Sequence, residues 1–444
     1  MATIAALACL AVPGAAFADA DLGVPTGGRY ATAIERPVDE PGTRPACSFR
    51  YPVCVHASRK MASSVVLGAL AELERAAALF ADGMGLPAPL EDGRLGGGPA
   101  FDLYLVPPRS MGGTTAVMTG RDDVLPAPVD QASAFGLLRQ DLAAGAMRRN
   151  LIARALASAI GWRIDAAEDA AVRESNAAYL AEIVAPCSVV TSELIDDFQS
   201  HPERGVASAG ATGPAAAMAL PWYLDLTLGG ASPGNVPTAL GVIAGQRTQG
   251  GSWLWNNEPD LFDALRASLK ARTPPITIDD LWMELSIARL FMGSRDDGVH
   301  FAETAFAGSF GRVRFDWNLP YASLPRRVSP ERPIDPSGAT YLWIDLSGTT
   351  RGARLSFHLE WEGPVPFRWA LLRIDRDGRE ASRVMITPQQ KSMSAEKNLD
   401  ALDDIAGVAL VGVNVGDLRS DDPFDPDVAP YEPHGYVVTV AATR

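Results

Sequence analysis

The chain has few residues able to ligate a metal, with five histidines and four cysteines in 444 residues, and it has no cluster of lysine and arginine. Any metal or triad chemistry must therefore draw on His56, His201, His300, His358 and His434, on the cysteines, and on carboxylates and hydroxyls. A total of 53 acidic against 39 basic residues gives a formal charge of -14, which repels a polyphosphate rather than releasing its counterions, so nucleic acid is excluded as a partner. Past the first residues no apolar run approaches the ~18 to 20 residues of a membrane span, so no span is expected. What is present is a globular composition, 47% hydrophobic and 21% charged, with mass for two or three domains of roughly 100 to 200 residues. It excludes disordered and collagen-like chains.

The first residues, MATIAALACLAVPGAAFADADLG, are apolar and end in Ala16-Phe17-Ala18, a small-x-small cleavage pattern before Asp19. They read as a secretory signal over 1–18, which puts the mature chain in the periplasm or outside the cell. A basic n-region is missing, so either Met1 is not the true start or the signal is atypical. A lipoprotein reading at Cys9 is disfavoured by Ala6 and by the absence of a polar tether. Removing the signal leaves Cys47, Cys54 and Cys187 where thiols oxidise. Cys47 and Cys54 flank SFRYPV, a separation that suits a disulfide closing a small loop. Metal binding there would need more ligands, with His56 as the nearby candidate.

Val66, Leu70, Leu73, Ala77 and Phe80 follow a helical period that stops at Gly83 and Gly85. FDLYLV over 101–106 reads as a strand ended by Pro107-Pro108, and 132–138 as a second. Two Ala-rich helices fill 148–184, with Asp165 read as the N-cap of the second. Helical spacing recurs over 191–200, 215–228, 237–245, 259–271 and 278–291, the last capped by Thr277. A proline-rich stretch, 318–338, reads as an inter-domain linker. Strands then recur over 340–346, 354–361, 367–374, 382–386, 408–415 and 436–441, with turn signals such as DRDG between them. The expected fold class is α+β: a mainly helical domain over 19–317 with a small N-terminal sheet, then an antiparallel β-sandwich over 339–444.

Tests for familiar chemistry mostly fail. The zinc-helix motif H-E-x-x-H, which sets two imidazoles on one helical face with a Glu to polarise water, is absent. His201-Pro202-Glu203 and His300 to Glu303 are isolated His/acid pairs, too few for a three- or four-ligand site. Gly230-Ala231-Ser232-Pro233-Gly234 spells a serine hydrolase elbow, but Pro233 lacks the N–H that an oxyanion hole needs, and the preceding segment looks helical. Asp421, Asp422, Asp425 and Asp427 suit an exposed loop better than a calcium site, for want of Gly-anchored spacing. Trp253 and Trp255 are read as buried anchors of a Gly-rich turn rather than a ligand surface. Trp343, Phe357, Trp361 and Trp369 are expected in the sandwich core.

The order of features from about 45 to 440 resembles secreted bacterial zinc metallopeptidases of the gluzincin type. A Cys-flanked loop ending CVH is followed by a helix, GLPAPLEDG, FDLYLV, ASAFGLLRQDL, two consecutive helices and a Pro-linked terminal sandwich. In active members the first of the two helices carries HExxH and the second a Glu ligand in an E-G-x-A-x-W-like run. Here Ala153-Arg154-Ala155-Leu156-Ala157 stands at the first position and Glu174-Ser175-Asn176-Ala177-Ala178-Tyr179 at the second. The resemblance thus implies the fold and denies the activity: Glu174 is kept while both histidines and the general base are lost. Apart from the resemblance, Glu174 reads as a solvated helix carboxylate. The expectation is an exported, catalytically inactive metallopeptidase-like protein, with no metal and no cofactor, that binds an unidentified protein or glycan or serves a structural role. Two alternatives stay open: a hydrolase working through an unrecognised carboxylate site, and an envelope adhesion module acting through the sandwich.

Overall fold

The computed structural model describes residues 34–111, 116–122, 131–166, 168–206, 217–229, 233–244, 260–301, 304–349, 351–363, 367–386, 393–416 and 433–443. The leader 1–18, Ser232, Trp253, Trp255, Glu303 and the acidic run from Asp421 to Asp427 lie outside them. The chain is α+β and divides into two compact units: 1–194 with 209–264 and 422–426, and 195–208 with 265–421 and 427–444.

In the first unit the chain runs β1 (Ala46–Cys47), β2 (Val53–Ala57), α1 (Ser63–Ala78), β3 (Phe101–Val106), β4 (Val117–Arg121), β5 (Ala134–Arg139), α2 (Ala146–Ile164) and α3 (Ala170–Val184). Helices α4 (Ser188–Ser200), α5 (Ala219–Leu228), α6 (Asn235–Ala244) and α7 (Leu261–Lys270) follow, with α4 and α7 each crossing a unit boundary. The sheet order is β1-β2-β3-β5-β4, with β2, β3 and β5 parallel and the two outer strands antiparallel. FDLYLV is buried at every position, as a central strand covered on both faces must be. Cys47 and Cys54 face each other across the β1–β2 register and are bonded, while Cys187 is a buried thiol outside that bond.

The second unit holds α8 (Ile278–Leu290) and strands β6 (Trp317–Pro320), β7 (Arg326–Val328), β8 (Ala339–Asp345), β9 (Arg354–Trp361), β10 (Phe367–Asp375), β11 (Glu380–Ile386), β12 (Ser394–Leu399), β13 (Ile405–Asn414) and β14 (Tyr436–Thr443). They form two sheets, β11-β10-β13-β8-β6 and β12-β9-β14-β7, whose facing side chains share one core. Within the stretch read as a linker, residues 318–320 and 326–328 pair at the two sheet edges, where proline is tolerated because the outer N–H needs no ladder partner. The pairing is antiparallel except between β6 and β8, which run parallel. Thr277 caps α8 through a reciprocal bond pair with Asp280, as its position foretold.

Strand β9 alternates buried and half-buried residues, and β13 is buried almost throughout. The difference arises because α8 packs on β13, and Tyr341 of the neighbouring β8 donates its hydroxyl to the Ser286 carbonyl of α8. Trp369, Trp361 and Phe357 lie in the sandwich core as expected. Trp343 does not: it is half-buried, stacks on Phe315, and lies over Gly407. It falls one register position from Leu342 and Ile344, which do enter the core, so the strand's period of two turns it to the opposite face.

Glycine is required where these rings lie on the sheet. A Cβ on Gly412 would sit 2.2 Å from the Trp369 ring, whereas one on Gly98 would meet nothing within 4 Å. Gly412→Ala is expected to destabilise the chain by roughly 1 to 3 kcal/mol, and Gly98→Ala to change stability by less than about 0.5 kcal/mol. Thermal or urea unfolding of the two variants side by side checks the contrast.

Candidate functional site

Helix α2 has almost no solvent face: Leu151, Ile152, Ala153, Ala155, Leu156, Ala157, Ala159 and Ile160 are all buried. Arg148, Asn150, Arg154 and Ser158 are buried polar residues on it, while Arg149 is exposed. Arg148 pairs with Glu72 of α1 at 2.8 Å, and Asn150 donates to the Ala185 carbonyl and to Glu182. Small side chains let α3 approach closely, since a Cβ on Gly161 would sit 2.8 Å from Arg173.

The residues singled out by the resemblance meet in this α2–α3 seam, but in a different arrangement from a zinc site. Glu174 is buried rather than solvated, at 6% exposure. One of its oxygens accepts a 2.5 Å hydrogen bond from Ser158, and the other lies 3.7 Å from Nη2 of Arg154. Arg154 and Ser158 are four residues apart and share one face of α2. Ala153 and Ala157 share the adjoining face. Burial pulls the Arg154 guanidinium below its usual range, with Glu174 opposing the shift, and the same holds for Arg173, whose Nε lies 4.0 Å from Glu174. The seam therefore holds a carboxylate flanked by two guanidinium groups and a hydroxyl. Zinc does not fit these residues: two methyl groups offer no donor atom, and the remaining carboxylate already faces cations. Among the described residues no group of three His, Cys, Asp or Glu side chains is placed to hold a metal.

A second cluster, which sequence reasoning did not pick out, lies where α2 turns into α3. Asp169 rather than Asp165 is the N-cap of α3, accepting from the Ala171 N–H; Asp165 ends α2 and accepts from the Glu168 N–H. Glu168 accepts from Asp169 N–H with one oxygen and, with the other, from Leu261 N–H at the start of α7. Burial, reinforced by Asp165, Asp260 and Asp169, pushes the Glu168 carboxyl well above its usual range, and the Leu261 N–H opposes it. The sequence signal was Asp165, Glu168 and Asp169 crowded before a helix start, which resembles ordinary capping. A cavity of ≈ 60 Å³ opens beside the cluster, lined in part by Ala157, Asp165, Glu168 and Arg173.

His56, His201 and His300 lie beside carboxylates. His56 lies between Asp39 at 2.8 Å and Asp102 at 2.9 Å, stacked on Tyr104, and Asp102 in turn pairs with Arg36. His300 lies between Asp297 and Glu380, each at 2.7 Å, stacked on Phe291, with Arg383 and its partner Glu284 beyond. His201 faces Glu203 at 3.5 Å. Before Ser232 stands helix α5 rather than the strand a nucleophile elbow needs.

No family model matches the chain, and no curated protein matches it. Among solved structures, the pre-peptidase C-terminal domain of a collagenase from Bacillus anthracis matches over 29% of this chain and 96% of that domain, at 11% identity and a TM-score of 0.19. A likeness of that degree carries no argument about activity.

Two outcomes follow from the charges. Arg154→Met leaves Glu174 without a close cation on α2 and is expected to cost roughly 3 to 5 kcal/mol, while adding Glu174→Leu should recover part of the loss. A double-mutant cycle by denaturant unfolding measures that coupling. For His300, burial disfavours the charged ring, but the bonds to Glu380 and Asp297 outweigh it and raise its pKa above 6.5. The stabilisation is then complete below pH 6.5 and is lost as pH rises through the raised folded value. His300→Gln should flatten that part of the Tm-against-pH curve.

Proposed function

We propose that the chain is an exported, non-catalytic relative of gluzincin-type zinc metallopeptidases, with a role in binding a protein or glycan or in structure. One observation carries this reading: Arg154, at the general-base position of the HExxH resemblance, faces Glu174, at the ligand position, across a seam where both histidine positions are alanine. A guanidinium supplies the positive charge that a buried carboxylate requires. Export is supported by the Cys47–Cys54 bond and by the cleavage pattern before Asp19; among the described residues no helix is long and apolar enough to cross a membrane.

A second reading, acid–base hydrolysis by carboxylates, is favoured by the raised Glu168 beside a cavity. Against it, both Glu168 oxygens already accept backbone N–H groups at two helix starts, which is the arrangement of a structural cap.

Purified protein is expected to retain no stoichiometric zinc after dialysis and to leave a casein-like substrate uncut. Elemental analysis with a peptidase assay is the check, and one retained zinc per chain would contradict the proposal.

A further inference from the structure

In the second unit, the short helical turns Gly293–Arg295 and Ala305–Gly311 touch at their glycines, where a Cβ on Gly293 would sit 2.6 Å from the Gly311 Cα. That approach brings Arg295, at the end of the first turn, within the field of Arg312, just past the second. Arg312 is exposed, and its Nε donates to the Ser294 hydroxyl at 2.5 Å. Arg295 is half-buried against the Phe315 ring, 4.5 Å from its centre, and its Nη1 is shut away from water with no hydrogen-bond partner. Among the described residues no carboxylate pairs with either guanidinium. The acidic residues next in sequence are turned to the following loop: Asp296 accepts from the Gly298, Thr304 and Ala305 N–H groups, and Asp297 accepts from those of Val299 and His300 and pairs with the His300 ring. Burial and the Arg312 charge pull the Arg295 pKa down to about 10, which leaves the group charged at neutral pH.

We propose that Arg295, Arg312 and Ser294 form a binding site for a phosphate group, free or as a monoester. A guanidinium withdrawn from water without a counter-ion is costly, and a second one on a touching segment adds repulsion. A phosphate dianion answers both charges. A carboxylate answers only one. The planar fork of a guanidinium matches two oxygens of a phosphate with charge-assisted bonds, and the Ser294 hydroxyl, while accepting from Arg312, keeps its own proton to donate to a third. The chain's charge of -14 opposes an anion at long range, but exposed charges are screened beyond about 8 Å at physiological ionic strength, so the two guanidinium groups decide the local field. The site belongs to the second unit and does not rest on the reading of the α2–α3 seam.

The experiment is calorimetric titration of the full chain with sodium phosphate, sodium phenyl phosphate and sodium acetate at pH 8. Phosphate is expected to bind at least about tenfold more tightly than acetate. Phenyl phosphate that binds as tightly as phosphate marks a monoester as the ligand, and a tenfold loss marks free phosphate. Arg312 is exposed, so Arg312→Met keeps the fold, and it should weaken phosphate binding by about tenfold or more. Arg295→Met should abolish it, and phosphate should raise the Tm of the parent chain while leaving that of this variant unchanged. Arg351, 96% exposed and 3.9 Å from Asp403, is the control for a general loss of positive charge, and Arg351→Met should bind phosphate as the parent does. Phosphate bound no more tightly than acetate, or a loss in Arg351→Met as large as in Arg312→Met, would overturn the proposal.

Discussion

The helical unit depends on how helix α2 satisfies its polar groups while buried on nearly every side. Its apolar residues need no explanation in such a place, but a guanidinium or hydroxyl does, because an unpaired buried polar group costs more than most contacts return. Arg148 is met by Glu72, Asn150 by Ala185 and Glu182, Arg154 and Ser158 by Glu174, and Arg163 by the Ala88 carbonyl. Each partner belongs to a different stretch of chain or a different turn of α3. The polar set therefore fixes the register of α2 against its neighbours in a way that packed alanine alone, being nearly featureless, does not.

The Arg154–Glu174 contact is central to that set and to the functional reading. At 3.7 Å it is a looser contact than the Ser158 bond, and two Arg154 nitrogens make no hydrogen bond at all. A buried pair of this kind is weak evidence for stability, since an apolar pair of similar volume serves as well. Its interest lies in charge. Glu174 lies between the Arg154 and Arg173 guanidinium groups, and it is in the proposed reading alone that Arg154 takes the position of a catalytic base.

Much of the fold was legible because it rests on periodicity. The alternation of β9, the continuous apolar run of β13, the helical spacing of α1 and the capping box at Thr277 all appear in the sequence as they do in space. Strand β12, SAEKNL, escaped notice because it is an exposed edge whose polar side chains carry no alternation. Trp343 was misplaced because an aromatic ring signals burial without saying on which face of the strand. At the site, the two consecutive helices were legible, but the burial of Glu174 was not: α2 and α3 are buried almost all round, so neither shows an apolar stripe to mark its inner face. The cluster around Glu168 was hidden for a related reason. Its members read locally as helix caps, and the contribution of Asp260 and the α7 start comes from some ninety residues away.

The most direct test asks whether the seam still has the geometry of a zinc site beneath its altered side chains. Residues 153 and 157 lie four apart, about one turn plus 40°, and so share a face. Ala153→His, Arg154→Glu and Ala157→His together would restore two imidazoles and a base beside Glu174, and zinc titration of that triple variant reads the outcome. Stoichiometric zinc binding that weakens when Glu174→Ala is added is the result expected here. A folded triple variant that binds no zinc would contradict the assignment of Ala153, Arg154, Ala157 and Glu174 to a former metal centre.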